Sequence, residues 1–304
     1  MTIHRRAYCQ AILLKKNGEV SLIGETLAFL SVERDVIAVA KQPWTKEKLN
    51  KWLKEGRGQD AVGKDYIPWV KISDFPSIGR ATRIFGVKIP RIYHLQSDNQ
   101  LRCFLLFEWS DRVVDLRESF PLLNLLETID DKDDLRLDKF IDKQTSVPLV
   151  LVTSFLLTIR DSDGRERLVA RSVKNASELK RSSTFENLEI QRRYWLAKGV
   201  DWKLITDKQI PKQFPKNVSW VRETLLDDGM NVNEKAEQAS LLYNALMRYP
   251  DLKLSDVLNA FDHKEGVPQG RGLYLFRYLI AKKLIRIDMH QSVQVVQKVR
   301  DVIQ

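Results

Sequence analysis

Residues 147–174 read VPLVLVTSFLLTIRDSDGRERLVARSVK, and this stretch decides the architecture. Val147 to Ile159 is apolar and rich in β-branched residues, as a buried strand is. Asp161-Ser162-Asp163-Gly164 is a turn signal, which makes Arg167 to Lys174 the returning strand. With the turn centred near Asp163, Ser154 and Ser172 lie equally far from it, so the spacing predicts that they face each other. Strand side chains repeat every two residues, so Ser172 and Lys174 share one face.

Downstream, an amphipathic helix over about Glu178–Lys198 carries Phe185, Leu188, Arg192 and Trp195 at helical spacing, and Trp202 to Thr206 is a further strand. Upstream, Ser97-Asp98-Asn99-Gln100 has the spacing of a capping box and opens an apolar helix from Leu101 to Trp109. Val113 to Arg117 reads as a short strand ending before Phe120-Pro121. The acidic run Asp130–Asp134 has no apolar face and reads as a solvated connection. Helix, three strands, helix and strand make an α/β layered domain over 45–210.

Residues 1–44 read as an N-terminal β appendage, with short apolar runs at Tyr8–Leu14 and Val36–Ala40 around a Lys16-Asn17-Gly18 turn. Thr45 is a helix N-cap followed by Leu49, Trp52 and Leu53, and a loop-rich stretch runs from Gly56 to about His94. After the prolines at 211 and 215, residues 211–304 are helical. Helices are expected near 220–227, 233–248, 255–261 and 272–283, then a strand over Leu284–Asp288 and a last helix from Ser292. That order suggests a winged-helix domain.

The chain has 304 residues, 50 basic and 40 acidic, a balance that permits a polyanionic partner without requiring one. Two cysteines, Cys9 and Cys103, exclude a disulfide framework or a cysteine zinc site, and the four histidines have no ligand-like spacing. No apolar run is long enough to span a membrane and the start has no secretory h-region, so a cytoplasmic protein is expected.

Gly58 to Lys64 fits the opening of a phosphate-binding loop, but Asp65 stands where that loop needs Ser or Thr. The segment therefore reads as a flexible glycine loop. Pro76 to Ser97 contains Arg80, Arg83, Lys88, Arg91 and His94 and no acid, with Phe85 and Tyr93 among the cations. It reads either as a phosphate-contacting segment or as an ordinary basic loop. Lys208, Lys212 and Lys216 form a second acid-free run. Lys174 beside Ser172 or Ser154 does not make a serine–lysine dyad, because no nucleophile elbow accompanies it.

Several motifs, in order, resemble the TnsA-type endonuclease subunit of heteromeric transposases. They are Glu55-Gly56-Arg57-Gly58-Gln59, Gly63-Lys64-Asp65-Tyr66-Ile67-Pro68-Trp69, Ser97 to Leu101, Leu106 to Ser110, Asp115 to Glu118, Phe120 to Leu123 and Gln191 to Trp195. The resemblance implies a restriction-endonuclease-like core of the PD-(D/E)xK kind, with magnesium as the cofactor of an active member. It implies cutting of the 5′ ends of transposon DNA beside an RNase H-like transposase. It also implies an AAA ATPase regulator that contacts the C-terminal domain. Arg80, Arg83, Lys88 and Arg91 become the expected DNA contacts.

The family pattern puts a glutamate, an aspartate and a Gln-x-Lys at the metal site. Here Gln100, Ser154 and Ser172 stand at the first three positions, and only Lys174 is kept. Hard magnesium needs carboxylate charge that amide and hydroxyl oxygens lack, so no metal is expected. Asp98, Glu108, Asp161, Asp163, Glu186 and Glu189 are the carboxylates considered as replacements. The expectation is a non-cutting TnsA-like subunit that holds transposon-end DNA and bridges transposase and ATPase. The alternatives are an active nuclease with displaced ligands and a stand-alone winged-helix DNA-binding regulator.

Overall fold

The computed structural model describes residues 43–304 apart from Asp60 and residues 75–79. The expected β appendage therefore lies, but for Pro43 and Trp44, outside the described residues. Helix α1 (Lys46–Lys54) starts where Thr45 accepts the Lys48 N–H, and its Trp52 packs edge-on against Trp44 and Trp69, with ring centres 5.0 and 5.3 Å away.

The stretch read as loop contains an antiparallel ribbon, β1 (Thr82–Phe85) and β2 (Ile92–Leu95). Its tight turn is set by Gly86. A Cβ there would sit 2.3 Å from the Ile89 carbonyl and 2.5 Å from the Tyr93 ring. The strands are four residues each, too short for alternation to stand out among the cations.

Helix α2 (Asp98–Trp109) follows, capped by Ser97 as expected. Strand β3 (Val113–Pro121) runs four residues past its expected end at Arg117, because Phe120 and Pro121 still pair with Thr153 and Val152. After a short helix α3 (Leu125–Thr128) come β4 (Val152–Arg160) and β5 (Glu166–Lys174), the predicted hairpin. Helix α4 (Ser182–Ala197) then crosses over to β6 (Asp201–Thr206), which pairs parallel to β5. The sheet order is β3-β4-β5-β6.

One sheet face carries Phe155, Leu157, Val169 and Val173 into a core shared with Phe104 and Leu105 of α2. The other carries Leu156 and Ala170 against Ile190, Tyr194 and Trp195 of α4. The sheet is thus sandwiched between helices. The predicted α4 stripe was partly misassigned: Phe185 and Arg192 are exposed, while Leu188, Gln191 and Trp195 are buried.

The C-terminal part comprises α5 (Phe214–Arg222), α6 (Val232–Arg248), α7 (Leu254–Lys264), α8 (Arg271–Ala281) and α9 (Val299–Val302). Its apolar residues join the α2 side of the sheet in one continuous core from Ile89 to Val302. The strand expected over 284–288 shrinks to an isolated bridge between Ile287 and Ile303, and the helix expected from Ser292 is four residues long. Extended backbone replaces it because Val295 and Gln297 accept the Ser255 and Leu254 N–H groups that open α7. Tertiary pairing here outweighs local propensity.

Candidate functional site

Gln100 lies in the first turn of α2. Ser97 Oγ accepts its N–H at 3.2 Å, while its own Oε1 accepts the Gln96 N–H at 2.8 Å. The predicted cap is present, displaced by one residue on the return bond. The side chain expected to have lost a ligand role is therefore bound to backbone.

The regular β4–β5 ladder ends at Phe155–Arg171, one step before the predicted Ser154–Ser172 pair. Phe155 packs on Phe107 of α2, yet Thr153, two residues earlier, reaches Gln191 and Trp195 of α4. Residues two apart on a regular strand share a face, so alternation breaks at Ser154. On β3 the same happens at Ser119, whose φ of 48° is left-handed: Glu118 bonds Arg91, whereas Phe120 packs on Trp195. The two strands kink together.

The kink separates the two serines' partners. Ser154 Oγ accepts the Val173 N–H at 2.9 Å, replacing a ladder bond. Ser172 is buried against α4 instead. Its Oγ donates to Gln191 Oε1 at 2.6 Å and accepts from Trp202 Nε1 at 2.9 Å. Thr153 Oγ1 donates to the same Gln191 oxygen at 3.0 Å and accepts from Trp195 Nε1 at 2.7 Å. Gln191 Nε2 completes the set by donating to Asn187 Oδ1 at 2.5 Å. The expectation of facing hydroxyls is thus replaced by two serines with different partners.

Lys174 is one-third exposed, with Nζ 3.8 Å from Glu178 Oε2. Glu178 also accepts the Asn175 N–H in a capping box, so its carboxylate is committed to the turn before α4. Glu189 is held by Arg192 and Arg193, Glu186 by Lys139, Asp161 by Arg112 and Arg167, and Glu108 by Arg222. Asp163 pairs with Arg165 in the turn, and Asp98 lies 3.8 Å from Arg80 on the surface. Among the described residues no group of three His, Cys, Asp or Glu is arranged to hold a metal ion.

The donor set at the family's metal positions does not fit magnesium. It has no charge, and its hydroxyl oxygens already accept N–H groups, Ser172 from the Trp202 indole and Ser154 from the Val173 backbone. A cation there would have to displace those donors.

One of the four expected DNA contacts, Arg91, is corrected, while Lys88 is exposed but engaged by backbone carbonyls. Arg91 is buried, with both terminal nitrogens on the fully buried Glu118 carboxylate at 3.0 and 2.5 Å. Its guanidinium also lies 3.7 Å from the Tyr93 ring centre. Lys88 donates to the Val113 carbonyl at 2.6 Å and to that of Ser110, which ends α2. Burial lowers its pKa. Arg80 and Arg83 are exposed. Both ends of the glycine loop are hydrogen-bonded: Gly58 N–H donates to the Ile67 carbonyl at 2.7 Å and Gly63 N–H to Asp115 at 3.1 Å.

The residues that sequence reasoning missed are Gln191, Glu118 and the Glu108–Arg222 pair. The Gln191 position carried the only available signal, a polar residue on the apolar stripe of α4.

Residues 110–207 match the family model described as TnsA-like endonuclease N terminal, and residues 209–289 match TnsA endonuclease C terminal. Over 258 residues the chain is 33% identical to the transposon Tn7 transposition protein TnsA of Escherichia coli, across 84% of this chain and 91% of that protein. With these matches over a helix-flanked sheet, the chain belongs to the TnsA family of transposition proteins.

Proposed function

We propose that this chain is a DNA-holding, non-cutting subunit of a Tn7-type transposition machinery. The carrying observation is the hydrogen-bonded closure of the three substituted positions: Gln100 on Gln96, Ser154 on Val173, and Ser172 between Gln191 and Trp202. Neutral ligands cannot offset the cost of stripping water from magnesium, and these are already satisfied. Without a metal-activated water, strand cutting has no nucleophile.

In this reading the sheet keeps the PD-(D/E)xK frame as a scaffold, and residues 45–210 hold transposon-end DNA through Arg80 and Arg83. Residues 211–304 act as a winged-helix-like partner-binding domain. The subunit bridges an RNase H-like transposase and an AAA ATPase. Manganese titration followed by electron paramagnetic resonance tests the metal claim. The expected signal is that of free aqueous ion throughout. One-to-one binding abolished by Ser154→Ala would overturn it.

A further inference from the structure

The β1–β2 ribbon has two unlike faces. Ile84, Tyr93 and Leu95 turn inward to the core. The cross-strand pairs Arg83–His94 and Phe85–Ile92 form the other face. Phe85 is 49% exposed and Ile92 54%, and among the described residues neither packs in an apolar cluster. Two adjacent large apolar side chains on a narrow ribbon are costly to leave wet unless something covers them.

The ribbon is also rigidly presented. Val87 N–H donates to Glu108 Oε1 at 2.6 Å, and Glu108 Oε2 accepts from Arg222 Nε at 2.8 Å. Arg222 donates in addition to the Phe85 carbonyl. One buried carboxylate therefore ties the ribbon to α2 and α5. The backbone beneath Phe85 is fixed while its side chain is free.

Charge selects the occupant. Arg83 lies on the same face and Arg80 is close in sequence, both exposed, and the chain from Pro76 to Ser97 has no acid; Arg80 lies 3.8 Å from Asp98 across the surface, a solvent-exposed pair that a phosphate can displace. His94 Nδ1 accepts the Ile72 N–H at 3.2 Å, so the neutral ring carries its proton on Nε2 and can donate from there. A ribbon of this width with cations beside an apolar tip matches a duplex groove, where arginines meet phosphates and apolar wedges contact or part the bases.

We propose that the β1–β2 ribbon is a duplex-DNA wedge, with Arg80 and Arg83 on phosphates and Phe85 with Ile92 inserted in the groove. This rests on the DNA-holding reading above and adds the element, the mode and two apolar residues to it. The test uses the full chain, a mixed-sequence duplex carrying a donor–acceptor dye pair, and a salt series. Wild type binds and raises energy transfer by bending the duplex. Arg83→Ala lowers the salt slope by about one. Phe85→Ala weakens binding about tenfold at an unchanged slope and removes the bending signal. Ile92→Thr, which keeps a β-branched residue in the strand, gives the same pattern and guards against misfolding of the first variant. Unchanged affinity and bending in both variants would overturn the wedge while leaving DNA holding intact. Wild type that binds no duplex overturns both readings. Loss of a protein partner's binding with DNA binding unchanged assigns the ribbon to that partner and also overturns the wedge.

Discussion

Ser172 donates its hydroxyl hydrogen to Gln191 at 2.6 Å, and the same Gln191 oxygen takes the Thr153 hydroxyl at 3.0 Å. Strands β4 and β5 are thereby fastened to α4 beside Ser172, one of the positions that the proposed reading assigns to the family's metal site. Hydroxyls, amide and indoles there form an internal clasp.

The clasp predicts a measurable stability cost when its members are removed. Gln191→Leu leaves two buried hydroxyls without their acceptor and lowers unfolding free energy by about 2–3 kcal/mol. Ser172→Ala costs less, about 1–2 kcal/mol, because Thr153 keeps its bond. Urea denaturation measures both. Equal stability of Gln191→Leu and wild type would remove the clasp from the account.

Glu118 and Arg91 form the most deeply buried ion pair in the described sheet, and Glu118 also accepts the His94 N–H at 3.0 Å. Glu118→Gln strands a buried guanidinium and should cost about 3–5 kcal/mol. Replacing both by apolar residues of similar volume should recover much of that loss. Thermal and urea unfolding of the single and double variants decide it, and a single variant as stable as wild type would count against the pairing.

Gly58 has φ +62°, and a Cβ there would meet Pro121 Cγ at 2.2 Å. Both the left-handed backbone and the ring contact penalise a side chain. Gly58→Ala should destabilise by about 2–3 kcal/mol. A neutral effect in urea denaturation would show that the loop does not pack on the strand end.

Acid should loosen α4. Bonding to Arg192, and then to Arg193, holds the Glu189 carboxyl down at about 2. A folded pKa below the unfolded one gives stability that is full above the ordinary carboxylate range and is lost as pH falls toward that value. The pair is partly exposed, so solvent screening reduces the expected loss to about 1 kcal/mol. Denaturant midpoints at neutral pH and near pH 3 should converge less steeply in Glu189→Gln than in wild type. Parallel profiles would contradict this.

The hairpin, the α2 cap and helices α6 to α8 were legible because apolar period and turn chemistry are local, whereas the helix expected near 220–227 lies at Phe214–Arg222. The ribbon was not, since its turn depends on Gly86 fitting beneath Tyr93, a contact made only in three dimensions. Arg91 looked like a DNA contact because sequence shows a cation and not its buried partner 27 residues away. The serine positions were read correctly as lacking charge, but the kink at Ser119 and Ser154 hid their partners. Ser172 meets α4 by ordinary alternation with Ala170, whereas the break at Ser154 brings Thr153, not Ser154, to Gln191.

Cutting itself tests the central claim. Transposon-end duplexes labelled on the 5′ strand would be incubated with this chain and the transposase and ATPase of the proposed machinery, in magnesium and then in manganese. The account predicts transposase-dependent 3′-end processing with no 5′ nick in either metal, and no change on Lys174→Ala. A metal-dependent 5′ nick that disappears with Lys174→Ala would contradict it.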